Sequence, residues 1–122
     1  MTHTTLEQSK ALIHLGLDEK TADLTIISND TTPYFHTKKS KRGSKEYPCW
    51  SAEALLEILP SEVYIEEEDD TAYLKIIKDG CTYTVSYYSK DRINLNFIDA
   101  MGEDLADVLF KVIEWLLTNK LI

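Results

Sequence analysis

The dipeptide Asp79-Gly80, set between two runs rich in β-branched and aromatic residues, constrains this chain more than any other feature. Such a pair is the strongest short-range signal of a β-hairpin. A two-residue loop there pairs Lys78 with Cys81, Ile76 with Tyr83, Leu74 with Val85 and Ala72 with Tyr87, all but Lys78 apolar or aromatic. The opposite face pairs Ile77 with Thr82, Lys75 with Thr84 and Tyr73 with Ser86. Strand side chains alternate with a period of two, so a one-residue slip sets Leu74 or Ile76 opposite hydroxyls. Turn chemistry and apolar pattern therefore agree. A tight turn at Asp69-Asp70 adds a strand upstream, with Ile65 opposite Leu74 and Val63 opposite Ile76. Downstream, Ile93, Leu95 and Phe97 alternate with Arg92, Asn94 and Asn96, and a loop at 89–91 places them beside Tyr87, Val85 and Tyr83. The expectation is an antiparallel meander of three or four strands over residues 63–97.

A helix is expected to cover that meander. Leu105, Val108, Leu109, Val112, Ile113, Leu116 and Leu117 recur at helical spacing, with Glu103, Asp104, Asp107, Lys111, Glu114 and Thr118 on the other side. Gly102 or Asp99 is expected to begin it and Asn119 to end it in a left-handed turn. A broad apolar stripe must be buried, and the apolar face of the meander is its natural partner.

Upstream, Thr4 and Glu7 fit a capping box for a helix near residues 5–15, with Gly16 as its stop. Residues 18–23 suit a short turn, Leu24–Ile27 has strand composition, and residues 34–36 suit a short extended piece. Residues 36–47 have almost no apolar content and hold Lys38, Lys39, Lys41, Arg42 and Lys45, which predicts a mobile basic loop. Ser51 is expected to cap a helix, with Trp50 and Leu55 as its hydrophobic staple and Pro60 beyond its end. Elements in this order make the class α+β, in one domain over residues 1–122.

Two stretches, Pro48-Cys49-Trp50-Ser51 with Leu55-Leu56 and Leu59-Pro60, and residues 105–117 ending in Trp115-Leu116-Leu117, resemble small proteins of Bacteroidetes prophages and other mobile elements. The resemblance is best over the second half of the chain. The family has no assigned activity, so the resemblance implies no catalytic residues; it implies a protein of a bacterium or its phage.

Composition limits the function classes. The net charge of -8 argues against general affinity for a phosphate backbone. No apolar run is long enough to span a membrane and no export signal is visible, so the expected location is the cytoplasm, with Cys49 and Cys81 as reduced thiols. Cys49 precedes a helix N-terminus, where a thiolate is favoured, and His14 or His36 are candidate bases; a small buried residue beside Trp50 is the better reading. Cys81 falls on the expected core face. His3, His14 and His36 lack metal-ligand spacing, and the acidic run Glu66, Glu67, Glu68, Asp69, Asp70 lacks the glycine and spacing of an EF-hand. No catalytic residue, metal site or cofactor is expected.

Two surfaces remain. The basic loop suits phosphate, but the rest of the chain carries about -13 once its five cations are set aside. On the polar face of the meander, Tyr73 is flanked diagonally by Tyr64 and Tyr88 and shares the face with Lys75 and Ile77. Those rings either form a binding platform or lie under the first helix or the Leu24–Ile27 strand, and their exposure decides. The expectation is a non-enzymatic interaction module that binds a protein partner, or a second copy of itself, through that face, the basic loop or both. The alternative is a nucleic-acid-linked accessory protein, touching the polymer through the loop or mimicking DNA with its acidic surface.

Overall fold

A computed structural model describes residues 3–28, 32–35 and 42–122. The first helix, α1 (Leu6–His14), starts one residue later than the Thr4–Glu7 spacing suggests. Thr5 is the cap, its hydroxyl accepting from the Gln8 backbone N–H while the Gln8 side chain returns to the Thr5 N–H. Thr4 is instead buried: its hydroxyl accepts from the Trp50 N–H at 3.0 Å, and its own N–H reaches the Trp50 carbonyl at 2.8 Å.

After a 3₁₀ turn at Glu19–Thr21, strands β1 (Leu24–Ile27), β2 (Tyr34–Phe35) and β3 (Glu46–Cys49) form a small antiparallel sheet in the order β2-β1-β3. β3 overturns the expectation that residues 36–47 are loop throughout. Tyr47 pairs with Ile26 and Pro48 with Thr25, and β3 lies at a sheet edge, where proline is tolerated. Arg42 is also held: Nε donates to Thr25 Oγ1 at 3.0 Å and Nη2 to the Leu24 carbonyl at 3.3 Å.

Helix α2 (Ala52–Ile58) is capped by Ser51, whose Oγ accepts from the Ala54 N–H at 3.1 Å. Trp50 and Leu55 are both fully buried, as a staple requires. Four strands follow in an antiparallel meander: β4 (Glu62–Ile65), β5 (Asp70–Asp79), β6 (Thr82–Ser89) and β7 (Asn96–Gly102). The faces agree with the sequence pattern in parity, although Ile76, expected in the core, stays 44% exposed on the inner side, and the pairings do not agree. The hairpin loop is Gly80-Cys81, with positive φ at Gly80 alone, as a type II′ turn has it. Leu74 therefore faces Tyr87 and Ile76 faces Val85. Cys81 sits exposed in the turn, not on the core face. Upstream, a 3₁₀ turn at Glu66–Glu68 and a left-handed Asp69 form a wider loop, so Ile65 faces Asp70 and Val63 faces Ala72.

The last strand lies further along the chain than expected. Residues 90–95 are loop, and Ile93 is 91% exposed. The loop is drawn back by Arg92, whose Nε donates to Asp70 Oδ2 at 3.1 Å and whose Nη1 reaches Glu68 at 3.3 Å. β7 then pairs Ile98 with Tyr87 and Ala100 with Val85, with a bulge between Tyr87 and Tyr88. Asp99 and Gly102 thus lie in a strand and do not begin the helix.

The C-terminal helix, α3 (Leu105–Thr118), is capped by Asp104, whose carboxylate accepts from the Ala106 N–H. It ends in a Schellman arrangement, Leu121 N–H to Leu116 carbonyl and Lys120 N–H to Leu117 carbonyl, with Lys120 rather than Asn119 in the left-handed conformation. α3 packs on β6 and β7 and also against α2. Ala106, Val108, Leu109, Val112, Ile113 and Leu116 are buried there, together with Val85, Tyr87, Ala72 and Ala100 of the sheet. Tyr87 stacks on Trp115 at 6.0 Å and donates its hydroxyl to the Pro60 carbonyl at 2.7 Å; burial raises its pKa. The architecture is α+β: the described residues form two antiparallel sheets of three and four strands and three α-helices, with the C-terminal helix on the larger sheet.

Candidate interaction surface

With α3 on one face of the four-stranded sheet, alternation sends the remaining side chains to the other. Among the described elements, none packs on that outer face: α3 lies beneath the sheet, α1 lies against β3, and β1 lies between β2 and β3. The face is organised in rows across the strands. Tyr64 pairs with Thr71 in the first row; Glu62, Tyr73, Tyr88 and Asn96 form the second. Lys75, Ser86 and Asp99 form the third, and Ile77, Thr84 and Met101 the fourth.

The five residues read from the sequence, Tyr64, Tyr73, Tyr88, Lys75 and Ile77, are thus brought together on one face. Their mutual arrangement differs from expectation. Tyr88 lies directly opposite Tyr73, not diagonal to it, with ring centroids 6.0 Å apart and planes tilted by 41°. The two-residue difference in register accounts for this. Lys75 Nζ stands 5.9 Å from the centre of the Tyr88 ring and Lys90 Nζ 5.9 Å from that of Tyr73, within the range of a weak cation–π attraction. Neither α1 nor β1 covers the rings. Tyr64 is 54% exposed, and Tyr73 and Tyr88 are half-buried. The Tyr64 hydroxyl donates to the Asp69 carboxylate, which raises the phenol's pKa.

Two further members escape the sequence reading. Met101, 61% exposed, lies across Thr84 from Ile77, itself 43% exposed; Asp99 lies across Ser86 from Lys75. The sequence offers Asp99 or Gly102 as the start of the helix, whereas both lie in β7. The alternation of Ile98 and Ala100 with Asp99 and Met101 is the signal that reveals the strand.

The other candidates fare differently. Lys38, Lys39 and Lys41 lie outside the described residues, as does His36. Arg42 is spent on β1, and only Lys45 of the described basic residues there is exposed. Cys49 is fully buried, its thiol donating to the Thr4 carbonyl at 3.2 Å, and the histidine beside it is His3, with Nδ1 at 3.9 Å. Burial pushes that thiol's pKa up, against the lowering effect of the Thr4 and Ser9 hydroxyls, so no thiolate is favoured. In the acidic run, Glu68 and Asp70 bind Arg92 and Asp69 binds Tyr64. Among the described residues no group of three or more His, Cys, Asp or Glu is arranged to hold a metal ion, and no helix is long and apolar enough to cross a membrane. Comparison with family models, with curated proteins and with solved structures returns no match.

Proposed function

We propose that this chain is a non-enzymatic interaction module, encoded by a mobile element or its bacterial host, that binds a protein partner through the outer face of its four-stranded sheet. One observation carries the reading: the face holds three tyrosines and, in one row, the exposed apolar pair Ile77 and Met101, and no described element lies on it. Tyrosine and methionine are enriched where proteins bind one another, and exposed apolar and aromatic side chains gathered on one face cost solubility unless something uses them. Lys75, Ser86 and Asp99 form a polar row between the tyrosines and the Ile77–Met101 pair, and Glu62 lies at the edge of the tyrosine row. Nucleic acid suits the face less well, since base stacking on tyrosine works with a cationic surround and this chain carries -8.

The test is capture of partners from the native host by the wild-type chain and by a Tyr64→Ala, Tyr73→Ala, Tyr88→Ala triple variant, with far-UV circular dichroism as the control for folding. The triple variant should keep its secondary structure and lose the partners. An Ile77→Glu, Met101→Glu variant, altering only exposed side chains, should lose them as well. Retention of the same partners by both variants refutes the assignment of this face.

A further inference from the structure

The pattern of charge across the outer face is self-complementary, and we infer that the partner it fits is a second copy of this chain, docked face to face about a twofold axis parallel to β6. This rests on the preceding assignment of the face as a binding surface and names its occupant.

The geometry follows from the row order. A twofold running along β6, between two facing sheets, exchanges the two sides of β6 and preserves position along the strand. β5 of one copy then lies over β7 of the other. In the central row, Lys75 of each copy comes over Asp99 of its partner, and the two Ser86 positions, each only 5% exposed, face one another across the axis without touching. In the next row Ile77 comes over Met101, again twice, with Thr84 over Thr84. On the other side Tyr88 meets Tyr88 and Tyr73 lies over Asn96. Within one chain Lys75 and Asp99 stand on either side of Ser86, and among the described residues neither takes part in an ion pair. Facing sheets stand about 10 Å apart, roughly the reach of a lysine and an aspartate extended toward one another. The small residues Ser86 and Thr84 at the centre permit that approach.

Charge also selects this arrangement over its closest competitor. A twofold across the strands through the same row sets Lys75 on Lys75 and Asp99 on Asp99. Like charges so placed repel, whereas the twofold along β6 makes two attractive pairs. The face is small, about 14 Å by 27 Å over three strands and four rows. That amounts to roughly 800–1,000 Å² buried in all, below the size of a standard stable interface, so the association is weak and concentration-dependent.

Sedimentation equilibrium of the full chain, in reductant so that exposed Cys81 forms no cross-link, tests this. The weight-average mass should rise from 14.0 kDa toward twice that value between about 10 µM and 1 mM. Lys75→Glu and Asp99→Lys should each hold the mass at that of one chain. An equimolar mixture of the two should recover the rise: the new carboxylate of one meets the new ammonium of the other, and the native lysine and aspartate meet in the second pair. The chain carrying both substitutions should recover it alone. Thermal melts check that every variant folds, as exposed sites allow. A wild-type chain that stays at single-chain mass at 1 mM overturns the inference. So do single variants that associate like wild type, or folded variants whose mixture fails to associate. If the wild type stays monomeric while the tyrosine triple variant loses a captured partner, the surface stands and the second copy falls.

Discussion

Ser51 joins the two halves of the molecule, and its removal gives a calculable loss. Its Oγ caps α2 by accepting from the Ala54 N–H at 3.1 Å and donates to Asp23 Oδ2 at 2.5 Å, while its N–H donates to Asp23 Oδ1 at 2.9 Å. Asp23 directly precedes β1, so the pair ties the small sheet to the start of α2. Ser51→Ala removes the cap, typically worth about 1 kcal/mol. It also removes one bond to a carboxylate, worth about 1.5–3 kcal/mol when buried but less here, since half-exposed Asp23 can turn to water. The expected sum is about 2 kcal/mol. With 122 residues, the unfolding entropy is about 0.26 kcal/mol per degree, so Tm should fall by about 8 °C. Thermal and urea unfolding of the full chain measure it. Ser51→Thr preserves both bonds and should stay within about 0.5 kcal/mol of wild type. The two residues act as a unit, so Ser51→Ala with Asp23→Ala should cost less than the two separate losses added, by about 0.5–1 kcal/mol. A Tm loss under about 2 °C for Ser51→Ala, or strict additivity in the cycle, refutes the account.

Two other expectations follow from the titratable groups. The Ser89 hydroxyl, donating to Asp70 at 2.6 Å, is the main reason that carboxyl lies below its ordinary range, with Arg92 adding to it against the opposing cost of burial. A depressed folded pKa contributes stability that is complete above the unfolded value near 3.9 and is lost as pH falls through the lower folded value; Asp70→Asn should therefore flatten the acid limb of a Tm-against-pH curve, and an unchanged limb contradicts the clasp. Ellman's reagent should find one thiol in the native protein, Cys81, and a second only on unfolding, because Cys49 is fully buried; Cys81→Ser should leave the native chain unreactive, and rapid native-state labelling of that variant contradicts the placement of Cys49.

What the sequence makes legible here is what local chemistry determines. α3 is readable because its apolar positions repeat at helical spacing over four turns, and α2 because Ser51, Trp50, Leu55 and Pro60 mark its ends within a few residues. β3 is not readable, because Glu46 and Tyr47 gain their strand character from Ile27 and Ile26, some twenty residues away. The same holds for residues 90–95. Ile93 looks like a strand residue, yet Arg92 is drawn to Asp70 and Glu68 across the sheet, and nothing local announces that pairing. The candidate surface lost Asp99 and Met101 for a related reason: an aspartate and a glycine shortly before an amphipathic stretch imitate the start of a helix.

The register differences are more informative, because they explain why the surface survived them. An apolar alternation determines only parity, that is, which side chains share a face; the turn determines which residues stand opposite. Asp79-Gly80 and Gly80-Cys81 are both acceptable two-residue loops, and moving the loop by one residue moves every pairing by two. Parity is untouched, so Val85 and Tyr87 remain inward and Tyr73, Lys75 and Ile77 outward. The wider turn at 66–69 likewise shifts the β4 pairing by an even number. The two proposals consequently stand on different parts of the geometry. The interaction surface needs only parity, and any even shift preserves it. Self-association needs register, because Lys75 and Asp99 oppose each other across the twofold only when both share a row with Ser86. An even slip of β5 or β7 would keep every tyrosine on the face and still separate the charges, so association with a second copy is the more exacting consequence of the fold.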